Sequence, residues 1–310
     1  VTSTVAAAPA TPVETDVSFD DITDATVVVS PGGAGPGWWA GAPSAVLAGG
    51  EIYLAYRLRR PVGRGRGFAN VVARSSDGVH FSTVVTVGKA TFGGESLERP
   101  WLVLSEDGRW RLYVSIATPG TKHWRVDLLE AATPEGLASA TPRTVMPGGS
   151  RLAVKDPVIV AHEGRWHAWV CCHPLEDPAA TDRMSTEYAT SEDGVDWTWH
   201  GTALAGRPGM WDARGVRVTA VRLDGPDPVA WYDGRATAEQ NWEERTGLAT
   251  IGSPGALSAI GDAAVGVSPY GLGGLRYVTF VPTDRGTRFY VEVTRADGAH
   301  DLRTFLVPPT

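Results

Sequence analysis

Cysteine is almost absent: Cys171 and Cys172 are the only two, and they are neighbours. Adjacent residues in a strand face opposite ways, so a structural disulfide between them is excluded and two buried thiols are expected. No apolar run approaches the length of a membrane span, so no membrane segment is expected. Basic runs are missing too, and a formal net charge of -7 argues against a nucleic-acid partner. The seven histidines include no His-x-x-x-His spacing, and there is no Cys pair at metal spacing. A Gly-rich phosphate loop and a Ser-nucleophile elbow are likewise lacking, so neither a metal nor a cofactor is expected. Residues 1–12 lack the charged start and long apolar stretch of a signal peptide, which points to the cytoplasm. Residues 1–18, small and Pro-containing, read as a disordered leader before one domain over 19–310.

Glycine, proline and tryptophan are plentiful, at 37, 22 and 12 of 310 residues, and they punctuate a recurring pattern. The stretch from Val154 to Cys172 shows it best. A polar pair, Lys155-Asp156, precedes Pro157 and a short apolar run; Glu163-Gly164 makes a turn; Arg165 to Cys171 alternates. That is a β-hairpin, with proline where a missing N–H costs least. Similar hairpins open at Ala42-Pro43, at Glu98-Arg99-Pro100, at Asp212-Ala213-Arg214-Gly215 and near Tyr270. Five copies at a spacing of roughly fifty to sixty residues predict an all-β protein, a five-bladed β-propeller. The lone strand Ala25 to Ser30 has no nearby partner and is expected to pair into the last blade, closing the ring. Ser75-Ser76-Asp77-Gly78-Val79-His80-Phe81 is echoed by Ser191-Glu192-Asp193-Gly194-Val195-Asp196-Trp197, an Asp-Gly turn in the same place of two copies.

First strands of a propeller line its central channel, so the polar groups at their starts converge on one mouth. These are Trp38 and Trp39, Glu98 and Arg99, Lys155 and Asp156, and Asp212 and Arg214. Charges gathered in one funnel shift one another's pKa, as acid/base work requires. The alternative is a plug of ion pairs, Arg99 with Glu98 and Lys155 with Asp156. Asp156 and Glu98 are the first candidate catalytic residues. Asp233 is third, at the end of a second strand in Trp231-Tyr232-Asp233-Gly234-Arg235, where a plain Asp-Gly turn is the competing reading. Tyr232 and Arg235 accompany it as candidate binding residues, with His123 and His173 as hydrogen-bonding groups at the mouth. Loop tryptophans (Trp38, Trp39, Trp124, Trp211, Trp242) offer faces on which sugar rings stack; Trp110, Trp166, Trp169, Trp197 and Trp199 are assigned to packing between blades. Asp156 is expected to stay ionised beside Arg99 or Arg214, unneutralised by Lys155, with Glu98 the better holder of a proton.

This layout resembles the five-bladed glycoside hydrolases of the arabinanase/xylosidase and invertase/levanase types and the mannoside phosphorylases. Lys155-Asp156-Pro157 matches the third-blade element of these families, and residues 73 to 81 resemble the Ser-x-Asp-Gly-x-x-Phe turn of the phosphorylase type. The resemblance covers nearly the whole chain by architecture, and implies a glycosidase acting on a small carbohydrate. Two departures stand out. The first-blade Asp falls on Gly41-Ala42-Pro43, and the Glu-Asp-Pro-Arg of the phosphorylase type falls on Glu98-Arg99-Pro100. Family roles therefore carry over only to Asp156. A phosphorylase, with Arg57, Arg59, Arg64, Arg66, Arg99 and Lys155 as the phosphate seat, and a non-hydrolytic sugar-binding propeller are the competing readings.

Overall fold

Short alternating segments between Gly-containing turns become strands along the whole chain. The computed structural model describes residues 17–309, and among these are twenty strands and no α-helix, so the chain is all-β. After β1 (Thr26–Val29) come β2 (Trp39–Ala48), β3 (Glu51–Arg59), β4 (Gly67–Ser75) and β5 (Ser82–Gly88). Next are β6 (Ser96–Leu104), β7 (Trp110–Ala117), β8 (Trp124–Ala131) and β9 (Arg143–Met146). β10 (Leu152–His162), β11 (Arg165–Pro174), β12 (Ser185–Ser191) and β13 (Thr198–Leu204) follow. Then come β14 (Gly215–Arg222), β15 (Val229–Arg235), β16 (Arg245–Ser253) and β17 (Ala256–Ile260). The chain ends on β18 (Leu275–Thr283), β19 (Gly286–Thr294) and β20 (His300–Val307).

β6–β9, β10–β13 and β14–β17 are separate four-stranded antiparallel sheets, each paired in chain order. The remaining strands form one eight-stranded sheet, in which β2 meets β20 only at the parallel bridge Trp39–His300. β1 runs antiparallel to β20, with Thr26 opposite Thr304. First strands pack on first strands: β2 on β6, β6 on β10, β10 on β14, β14 on β18, and β18 on β2.

The repeated Asp-Gly turn has a repeated job. Ser75 Oγ donates to Asp77 Oδ1 (2.8 Å), which accepts the N–H groups of Val79 and His80; Ser191 and Asp193 do the same for Val195 and Asp196. Each turn then receives a tyrosine hydroxyl from a strand distant in sequence, Tyr290 of β19 on the Gly78 carbonyl and Tyr113 of β7 on the Gly194 carbonyl, both 2.9 Å. Gly194 has a φ of 75°, and an added Cβ there would lie 2.6 Å from Arg111 Nη1. Only glycine meets both demands.

Of the leader expected at 1–18, residues 1–16 lie outside the described residues; Val17 is buried, in one apolar cluster with Phe19, Ile22, Trp231 and Phe289. Both cysteines are free and buried on β11. Trp199, assigned above to packing, is instead 42% exposed. It stands on β13, an edge strand with nothing paired beyond it among the described residues. Trp39 is not a loop residue; it opens β2 and is buried.

Candidate functional site

Every first strand carries a bulge at the same place. Pairing slips between Gly41 and Ser44, Leu97 and Pro100, Lys155 and Val158, Val218 and Ala220, and Arg276 and Thr279. Ala42, Asp156 and Tyr277 take positive φ there, at 52°, 51° and 55°. Bulges re-aim side chains at functional sites, and positive φ at a non-glycine residue costs about 1–3 kcal/mol that the surroundings must offset. The bulge also breaks the alternation that would keep Lys155 from its neighbour. Lys155 Nζ lies 3.5 Å from Asp156 Oδ2, so the two do neutralise each other.

Around these bulges runs a buried chain of alternating charges. Asp156 accepts from Arg217 (3.1 Å), and Arg217 also holds Asp233 (2.6 Å). Arg276 bridges Glu244 and Glu292, each at 2.7 Å, and Arg57 bridges Glu292 (2.9 Å) and Glu98. Arg235 pairs with Glu244. In the middle stands Tyr277, whose ring lies 3.8 Å from the Arg217 guanidinium and whose hydroxyl donates to Asp156 Oδ2 (3.1 Å). This network contains the plug foreseen as the alternative reading: Lys155 pairs with Asp156 as foreseen, but Glu98 pairs with Arg57 and not with Arg99. Arg99 pairs through its guanidinium with the Pro43 and Thr219 carbonyls, and only its backbone N–H meets Asp156 (3.2 Å). Arg214 faces away and holds Asp182 (2.5 Å). Arg217 takes the place expected of Arg214, three residues further along the strand.

The charges sort the acids. Burial works against ionised Asp156, but Lys155, Arg217, Arg57 and Arg99 outweigh it and hold the carboxyl well below the usual range. Glu98 is also lowered: burial is overcome by Arg57, Arg59 and Lys155, so it is not the proton holder expected from the sequence. That part falls to Asp233, pushed up to about 6 by burial against the pull of Arg217, with Glu244 adding to the rise. A carboxyl raised on folding stabilises fully below its unfolded value of about 3.9, and this is lost as pH rises through the folded value. Two pK units correspond to about 3 kcal/mol. Urea unfolding between pH 4 and 6 is therefore expected to show Asp233→Asn gaining on the wild type as pH rises; parallel pH slopes would show that Asp233 does not titrate there.

Above the network opens a cavity of about 300 Å³. Glu98, Lys155, His173 and Trp124 line it, with Arg66, Asn241 and Trp242. A narrow pocket of about 20 Å³ continues below, sharing Glu98, Lys155 and His173 and reaching Arg235, Arg217 and Tyr277. His173 is pushed down to about 3 by burial, Lys155 and Arg235, and is a neutral ring 3.2 Å from the Thr181 carbonyl. Lys155 sits 5.2 Å from the Trp124 ring. Glu98 is the carboxylate of the central network that reaches the cavity; Asp156 and Asp233 are fully buried and line neither space.

The remaining candidates lie apart. Asp212 is held by Arg207 (2.9 Å) and by the Tyr232 hydroxyl (2.8 Å), and Tyr232 stacks on Trp211, behind the network. His123 precedes Trp124 without lining the cavity. Trp38 and Trp39 line a different cavity, beside Arg59. Sequence reasoning missed Arg217, Arg276, Tyr277 and Glu292. The signal was present: Val216-Arg217-Val218, Leu275-Arg276-Tyr277 and Val291-Glu292-Val293 each set a charge inside an apolar strand. Such a charge is buried only when it is paired.

No family model matches the chain, and no curated protein matches it in sequence. Solved structures do match. The β-1,2-mannobiose phosphorylase of Listeria innocua, in complex with β-1,2-mannobiose, aligns at TM-score 0.66 and 15% identity, over 93% of this chain and 96% of that one. A glycosyl hydrolase from Bacteroides ovatus aligns at TM-score 0.65 and 15% identity, over 96% and 91%. The α-L-arabinofuranosidase of Lactobacillus brevis aligns at 0.64 and 14%, over 86% and 90%. At these identities the likeness is one of fold, and it spans nearly the full length of each partner.

Proposed function

We propose that the protein is a carbohydrate-active enzyme that cleaves a small glycoside in the cavity above the ion-pair network. We further propose a five-bladed β-propeller in which β1 completes the last blade. The succession of first-strand contacts and the single bridge joining β2 to β20 support the propeller. The observation that carries the function is the make-up of the cavity: the network carboxylate Glu98 with two tryptophan faces, a neutral histidine and a lysine, while the second carboxylate of the wall, Asp182, is held by Arg214. Ring faces stack sugars, the histidine and Asn241 fix hydroxyls, and Glu98 reaches the bond. Being ionised, Glu98 is suited to draw a proton from an attacking water, while Lys155 stabilises the departing oxygen. Asp156 and Asp233 lie beneath and act by fixing Arg217 and Tyr277.

Phosphorolysis is the second reading, favoured by the cations Arg66, Lys122 and Lys155 in the cavity wall. Phosphate is its own nucleophile, so one carboxyl suffices. Its charge beside Glu98 would raise that carboxyl and turn it from base to acid. A panel of nitrophenyl glycosides with and without phosphate separates the two: release without phosphate is hydrolysis, and release only with phosphate is phosphorolysis. Binding without release under both conditions would reduce the protein to a sugar-binding one. Trp124 is half-buried, so Trp124→Ala is expected to leave the melting temperature nearly unchanged. It should raise KM about tenfold, the loss of one stacking face. A large fall in melting temperature would make Trp124 a packing residue.

A further inference from the structure

A second cavity, of about 470 Å³, lies on the other side of Trp39 and has no carboxylate in its wall among the described residues. Three arginines line it, Arg59, Arg60 and Arg64, and none of them forms an ion pair among the described residues. Arg59 is 2% exposed. Its guanidinium is held between aromatic rings, 3.8 Å from Trp39 and 4.9 Å from Trp242. Nε and Nη1 are buried with no hydrogen-bond partner among the described residues. A buried guanidinium without an acid is costly, and cation–π contacts offset that cost only in part. Burial brings Arg59 down to about 10, so it remains charged at neutral pH. Every arginine of the central network has a carboxylate or carbonyl partner; Arg59 has neither among the described residues.

The other walls say what the anion is attached to. Trp38, Tyr56 and Phe68 are aromatic, and Ser30 and Tyr56 are the wall's two hydroxyl-bearing side chains. Trp38 is fixed from the loop side, since an added Cβ at Gly33 would lie 2.6 Å from its ring. A sugar's several hydroxyls would go unpaired among such walls, whereas a flat apolar ring is matched by them. The volume suits one such ring with its substituent. We propose that this cavity is a second binding site, taking a flat apolar ring that bears one carboxylate or phosphate, the anion on Arg59, Arg60 and Arg64 and the ring on Trp38. Arg60 already stacks on Phe68 at 4.1 Å, which holds it at the rim.

The test is a tryptophan-fluorescence titration at low salt with benzoate and with phenyl phosphate, against benzyl alcohol, inorganic phosphate and glucuronate. Benzoate or phenyl phosphate is expected to bind at least tenfold more tightly than every control, and whichever of the two is tighter identifies the anion. Arg59→Met removes a buried group and can cost stability, so Arg60→Ala/Arg64→Ala, both exposed, is the decisive variant. It is expected to fold normally and to weaken binding at least tenfold. Trp124→Ala, in the other cavity, is expected to leave this binding unchanged. Equal binding of benzyl alcohol, glucuronate or phosphate alone, or affinity that survives the double variant, would overturn the site. Neither result depends on whether any glycoside is cleaved.

Discussion

Glu98→Gln is expected to abolish most turnover while leaving the protein folded. Glutamine keeps the shape and removes the charge of the one network carboxylate at the floor of the cavity. A positioned general base contributes about 10²–10⁴-fold, so kcat is expected to fall by at least about 10² with KM little changed. Arg57 retains Glu292 at 2.9 Å, so the buried guanidinium is not left without an acid. Steady-state kinetics and thermal unfolding on the same preparation check both halves. Unchanged kcat would take Glu98 out of the chemistry, and an unfolded variant would make it a member of the ion-pair network only.

Asp156→Asn is expected to show the opposite pattern, a loss of stability. Asp156 is fully buried and shared by Arg217, Lys155, the Tyr277 hydroxyl and the Arg99 N–H. Removing its charge leaves Arg217 leaning on Asp233 and Lys155 with no acid at 3.5 Å. Breaking one partner of a buried pair costs about 3–5 kcal/mol. In a chain of this size about 3 kcal/mol lowers the melting temperature by roughly 4–6 °C. Because its carboxyl is lowered on folding, Asp156 contributes fully above the unfolded value of about 3.9 and loses that contribution as pH falls further. The stability gap between wild type and variant is therefore expected to be flat from pH 5 to 8 and to close in acid. A variant as stable as the wild type but with turnover lost by about 10² would instead place Asp156 at the substrate.

Strands and turns were legible in the sequence because they rest on local rules. Asp77-Gly78 and Asp193-Gly194 set turns wherever they occur, and apolar alternation marks the strands between them. The bulges were not legible. A one-residue slip at Asp156-Pro157 or Tyr277-Val278 leaves no mark on periodicity. Yet it decides that Lys155 and Asp156 meet, and that Arg217 rather than Arg214 reaches the centre. The four residues missed at the site share this origin. Each sits on a strand whose pattern reads as core, and its partner lies more than a dozen residues away, as Arg276 does from Glu244 and Glu292. The fate of the loop tryptophans was likewise not local: Trp39 stacks on His300 from the far end of the chain, while Trp124 faces the cavity.

The most direct measurement is a crystal structure of the Glu98→Gln variant soaked with whichever glycoside the activity panel identifies. A sugar ring is expected on Trp124, with His173 and Asn241 on its hydroxyls and residue 98 within hydrogen-bond reach of the scissile bond or of the water beside it. A glycoside bound elsewhere on the protein, with residue 98 still turned only to Arg57, would contradict the assignment of this cavity as the active site.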